Sequence, residues 1–119
     1  MTFKYIKVEQ METHFCGDHS LIKEIVNVFE ETYQDVISET QKSIETTDSE
    51  LLERSAHTLK GMVSNFFVED IVKGFSTLEK KGVDSSFDGT HDLLVELQGK
   101  LEEMLAELNE YVTQVVSNE

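Results

Sequence analysis

The 119-residue sequence predicts an all-α fold: an antiparallel up-down four-helix bundle behind a short leading helix. Three observations carry that expectation. Apolar residues recur at three- and four-residue spacing along four long stretches, the period of a helix with one buried face. No stretch of convincing length alternates apolar and polar residues with the period of a strand. Proline is absent, so nothing forces a break inside a helix. Four amphipathic helices joined by short connections bury their stripes most simply by packing side by side in alternating directions. One domain is expected over residues 1–119, with 1–17 a lead segment and 18–116 the bundle. A chain of this length buries about two-thirds of the surface exposed when unfolded.

In chain order, Phe3, Ile6, Val8 and Met11 fit either a short leading helix laid across one end of the bundle or a frayed terminus. Gly17-Asp18 interrupts it, and Asp18 or Ser20 can cap the next helix. From about His19 to Glu45 the apolar stripe runs through Ile22, Ile25, Val26, Phe29, Tyr33, Val36, Ile37 and Ile44. Leu21 and Val28 flank that stripe and share an edge with Ile25. They read either as core margin, the commoner case, or as an exposed apolar strip for a partner. Thr47 and Glu50 have the spacing of a capping box and would open a second helix, from about Asp48 to Phe66. A third helix is expected from Val68 to about Lys81. Glu69 and Asp70 suit its positive end, Lys80 and Lys81 its negative end, and Gly82 is placed to terminate it. Val83 to Gly89 reads as a loop. The last helix, from about Thr90 to Val116, is expected to bury Leu94, Leu97, Leu101, Met104, Leu105, Leu108, Val112 and Val115.

The bulk numbers narrow the function. Lys and Arg number 10 against 24 Asp and Glu, a formal net charge of −14. That argues against nucleic acid and anionic membrane as partners, since both need a basic face. A single Cys excludes an intramolecular disulfide and fits a reducing compartment. With no signal peptide in view and no apolar run of roughly 18 residues, the expected location is cytoplasmic. Nothing demands more than a monomer.

The second long helix carries Ala56-His57-Thr58-Leu59-Lys60-Gly61. Residues three and four apart share a helix face, so His57, Lys60, Gly61 and Ser64 line up on one side. Leu52, Ala56, Leu59, Val63 and Phe66 form the face to be buried. The result is an accessible imidazole, a cation one turn away, and no side chain at Gly61 to obstruct approach. Glycine inside a helix costs about 0.5–1 kcal/mol relative to alanine, so its presence there asks for a compensating use.

This stretch, continued by Ser64-Asn65-Phe66 and set in a four-helix pattern, resembles the histidine-containing phosphotransfer (HPt) domains of multistep two-component signalling. The resemblance covers about Asp18 to Val116. It implies that His57 is the phosphoacceptor: it would take a phosphoryl group from a receiver-domain aspartate and pass it to another receiver. The partners implied are response-regulator receivers and a hybrid sensor kinase, and the protein would have no kinase activity of its own. The sequence departs from the family at one place. A glycine is common near position 67, and here that position is Phe67.

The chemistry suits these residues. A neutral imidazole offers a nitrogen lone pair near physiological pH. Phosphoryl transfer depends on alignment and on stabilising the equatorial oxygens, which Lys60 is placed to meet. Glu53 or Arg54, one turn before His57, could orient or shield the ring, with less claim than Lys60. No cofactor is expected on this chain, and the Mg²⁺ such transfer needs is expected on the receiver. The docking surface expected around His57 includes Arg54, Ser64 and Phe67, with the Leu21–Ile25–Val28 strip on the preceding helix.

Two other readings compete. A helical adaptor could bind a receiver or another signalling protein without phosphate passing through it. His14, Cys16 and His19 could supply three ligands of a zinc site, but no fourth stands at a familiar spacing. No Gly-rich phosphate loop, Glu-x-x-His pair or catalytic triad can be read from the sequence.

Overall fold

A computed structural model describes residues 3–117. It contains five helices: α1 (Val8–His14), α2 (His19–Glu45), α3 (Ser49–Ser64), α4 (Glu69–Val83) and α5 (Thr90–Ser117). No strand occurs among the described residues. Helix α2 packs against α3 and α5, and α4 packs against the same two. The four long helices thus enclose one core in a body of 48 × 22 × 21 Å. α3 and α4 run in opposite directions, since Glu53 faces Gly82 while His57 and Lys60 face Glu79.

The centres of the periodic stripes are buried, while Ile25, Val36 and Ile44 of α2 and Leu105, Val112 and Val115 of α5 lie at the margin and are only partly covered. Ile22 and Val26 of α2, Leu52 and Leu59 of α3, Ile71 and Phe75 of α4, and Leu97 and Leu101 of α5 are essentially inaccessible. Periodicity alone omitted several buried positions that carry hydroxyls, among them Thr40, Ser43, Ser55 and Tyr111. Thr40 and Ser43 close the far end of α2, where Thr40 Oγ1 lies 2.8 Å from Ser55 Oγ on α3. Tyr111 is buried on α5 and donates to Glu12 Oε1 at 2.9 Å. Among the described residues no buried side-chain polar atom lacks a hydrogen-bond partner, as a stable interior requires.

The lead segment is bound into this core. Tyr5, Ile6 and Met11 are buried. The Glu107 carboxylate accepts from the backbone N–H groups of Lys4, Tyr5 and Ile6 at 2.9, 2.9 and 3.1 Å. That satisfies donors which would otherwise face α5 unpaired.

The helix ends correct two expectations. Asp48, not Thr47, caps α3, its side chain accepting from Leu51 N at 3.1 Å. Thr47 instead closes α2 at φ +50°. Asp48 N bonds Ser43 O and Thr47 N bonds Ile44 O, the paired bonds of a Schellman ending. The same pair ends α4, with Ser86 N on Lys81 O and Ser85 N on Gly82 O, and the left-handed residue is Ser85 at φ +52°. Gly82 therefore does not terminate its helix; it lies buried one position before the end. Cys16 ends α1 in the same way at φ +56°. A side chain in this backbone region costs on the order of 1 kcal/mol, a cost glycine escapes.

Candidate functional site

The site is built on α3. Burial of Leu52, Ser55, Ala56 and Leu59 fixes the rotation of that helix. It leaves the side chain of His57 69% exposed and Gly61 and Ser64 at the surface. Across the helix interface stands Glu79 of α4. Its Oε2 is 2.7 Å from His57 Nδ1 and its Oε1 is 2.5 Å from Lys60 Nζ. One carboxylate thus bridges both residues of the sequence motif. Its side chain is 20% exposed, against 29% for Lys60.

The bridge sets the tautomer of a neutral ring. An ionised carboxylate only accepts hydrogen bonds, so His57 Nδ1 is the donor. In a neutral imidazole the other nitrogen then carries the lone pair. In that tautomer Nε2 carries the lone pair on the exposed side of the ring. The hydrogen bond from Lys60 holds the Glu79 carboxyl below its ordinary range, against the opposing effect of burial, and the hydrogen bond from His57 adds to it.

A depressed carboxyl stabilises the fold fully above its unfolded value, near 4.5, and that contribution is lost as pH falls through the lower folded value. The difference in urea midpoint between wild type and Glu79→Gln should therefore shrink as pH falls below about 4.5. A difference that stays constant over that range would show that Glu79 is not held ionised by its neighbours.

The other sequence-derived positions fall in separate places. Arg54 borders the same shallow depression as His57 and Glu79, together with Glu50 and Glu53. The ring is oriented from α4 by Glu79, however, not by Glu53 or Arg54 within its own helix. Lys60 is not standing open for incoming oxygens; it is ion-paired to Glu79. At Gly61 an added Cβ would meet nothing within 4 Å. Leu21 and Val28 are exposed, at 39% and 52%. They are not core margin: with Ile25, Phe29, Met62 and Phe66 they line an open, mainly apolar groove between α2 and α3.

Ser64 donates to Lys60 O at 2.7 Å and lies beside Phe67 in another hollow. Phe67 is ten residues past His57 and lies beyond the end of α3. It adopts φ +59°, so the position where glycine is common keeps a glycine-like backbone. Its ring packs edge-on to His14 of α1, with centroids 5.4 Å apart, and not against the His57 ring.

His14, Cys16 and His19 are not assembled as ligands. His14 lies against Phe15 and Phe67, and His19 Nε2 is 3.2 Å from Glu12 Oε1. Among the described residues no group of three or more His, Cys, Asp or Glu could hold a metal ion. No helix of the described residues is long and apolar enough to cross a membrane.

Glu79 is the residue that sequence reasoning missed. Its only local signal was position: it follows buried Leu78 and lies one turn past buried Phe75, at the edge of the α4 stripe.

Comparison with curated proteins and with solved structures gave no match. Comparison with protein families gave the Hpt domain, matched over residues 24–111, a span that holds α3, α4 and most of α2 and α5. An exposed histidine held on one ring nitrogen, a neighbouring cation and a helical bundle around them accord with that match, and the chain belongs to the Hpt domain family of two-component phosphorelay.

Proposed function

We propose that this chain is a relay intermediate that carries a phosphoryl group on His57 Nε2 between the aspartates of receiver domains. The observation that carries the reading is the Glu79 bridge: its carboxylate meets Nδ1 at 2.7 Å on an exposed ring, so that in the neutral imidazole the lone pair lies on Nε2. The Nε2 lone pair attacks the phosphorus of an aspartyl phosphate. The N–P bond forms as the P–O bond to the aspartate breaks, and the aspartate leaves as a carboxylate with the bonding electrons. No proton has to leave Nε2. Positive charge develops on the ring, and Glu79 faces it through Nδ1–H. Lys60 turns from Glu79 towards the phosphoryl oxygens, where it offsets the repulsion between those oxygens and the carboxylate. The reverse sequence delivers the group to a second receiver.

The receiver brings the Mg²⁺, and this chain holds no cofactor. It docks over the His57 face and onto the groove of Leu21, Ile25 and Val28, with Arg54, Ser64 and Phe67 at its margin. The protein acts as a cytoplasmic monomer, as one unit over residues 1–119, and its four long helices alternate in direction; the opposite runs of α3 and α4 support that arrangement. The direct test is transfer from a phosphorylated receiver onto the purified chain. Uptake of an acid-labile, base-stable label supports the relay. A panel of competent receivers that bind without transferring would replace it with the adaptor reading.

Gly61 gives a further expectation. Nothing inside the protein needs a glycine there, so Gly61→Ala should stabilise the fold by about 0.5–1 kcal/mol. Transfer from a receiver should nevertheless slow by about 10-fold, because the added methyl group disturbs the approach to His57. Gly99, whose added Cβ would also meet nothing within 4 Å, is the control: Gly99→Ala should stabilise equally and leave transfer unchanged. Stopped-flow transfer rates and urea unfolding of the two variants separate these effects.

A further inference from the structure

Gly82 sits in a close approach of α4 to the α3 backbone beside the site. A Cβ added there would lie 2.5 Å from Glu53 N, 2.8 Å from Glu53 Cα and 2.9 Å from Glu53 Cβ. These are chiefly backbone atoms, which cannot swing aside. Gly74, also on α4, is different: its added Cβ would meet Leu97 Cδ2 at 2.3 Å, the end of a flexible side chain on α5. Glu53 is one turn before His57, and Gly82 is three residues past Glu79. The close approach therefore lies one helical turn from the hydrogen bond between His57 and Glu79.

We propose that Gly82 is a positioning residue for the phosphoacceptor: by admitting the α3 backbone it sets the helix spacing at which Glu79 reaches His57 Nδ1. The inference rests on the reading of His57 as phosphoacceptor. Its other possible use, a left-handed turn, belongs to Ser85. Glycine is also a poor helix former, so its place inside the last turn of α4 has no local advantage. Carbon atoms in contact settle at about 3.5–4.0 Å, so a methyl group at position 82 forces the helices apart by about 1 Å. The 2.7 Å contact between His57 and Glu79 would then stretch to about 3.7 Å, beyond hydrogen-bonding range.

The test compares Gly82→Ala with Gly74→Ala. Two readouts are used: the tautomer of the His57 ring, from long-range proton–nitrogen NMR, and the rate of phosphorylation by phosphoramidate. In that reaction the donor's P–N bond breaks, ammonia leaves with the proton the donor supplies, and the phosphoryl group joins Nε2. No receiver is needed. Gly82→Ala should lose the uniform Nδ1–H signature and react about 10-fold more slowly. Gly74→Ala should lose stability through Leu97 yet keep both the signature and the rate. Glu79→Asp retracts the carboxylate by one methylene with the helices in place, and should reproduce the Gly82→Ala result even if Gly82→Ala does not fold. A folded Gly82→Ala, or a Glu79→Asp, that keeps the wild-type tautomer and rate overturns the proposal. Failure of the relay reading looks different: wild-type His57 would take no phosphoryl group, while the tautomer comparison would still decide the spacing.

Discussion

His57→Gln should reduce phosphoryl uptake from a receiver by more than about 10³-fold, because it removes the only atom the proposed chemistry uses as nucleophile. Glutamine keeps a polar side chain of similar reach but has no nitrogen lone pair available for attack. The fold should survive: the side chain is 69% exposed, and substitutions at such positions usually change stability by no more than about 0.5 kcal/mol. Binding to the receiver should persist, since most of the proposed contact lies outside this one ring. Radiolabel transfer, circular dichroism and calorimetric titration on the same sample measure the three effects together. Wild-type uptake with none in the variant assigns the label to His57. Equal labelling of both proteins would place the phosphoryl group elsewhere and sink the reading.

Glu79→Gln is expected to slow transfer by about 10²-fold without weakening receiver binding. The substituted amide has both a donor and an acceptor. If its NH₂ group faces His57, Nδ1 must accept, and the ring proton moves to Nε2, where it blocks the attacking lone pair. If its oxygen faces His57, Lys60 meets the NH₂ group and loses its anchor. Either orientation breaks one arm of the bridge at 2.7 and 2.5 Å. Stability should fall by at most about 1 kcal/mol, as partly exposed ion pairs contribute little. Single-turnover rates at saturating receiver, with the ring tautomer read by NMR, test this. A variant with wild-type rate would show that the ring needs no partner on α4.

How much of this could be read in advance differs from residue to residue. His57, Lys60 and Gly61 were legible because their mutual placement is local: three residues within one turn share a face of any helix. The apolar stripes of α2, α3, α4 and α5 were legible for the same reason, since a period of three and four residues fixes which side is buried. The capping box failed because Thr47 and Asp48 are claimed by two helices at once. The Schellman ending of α2 takes Thr47 at φ +50° and leaves Asp48 to cap α3. Gly82 was misread as a stop because a glycine near a helix end usually is one; here Ser85 takes that conformation at φ +52°. Phe67 at φ +59° shows the same separation of residue type from backbone state.

The sequence by itself determined the helices, their buried faces and an exposed histidine with a lysine one turn on. The tertiary structure alone decided what holds that histidine. Glu79 stands 22 residues along the chain from His57, and its approach depends on the register and spacing of α3 against α4. Those are set by how two whole helices pack, down to a backbone contact at Gly82, and no local pattern encodes a distance between helices.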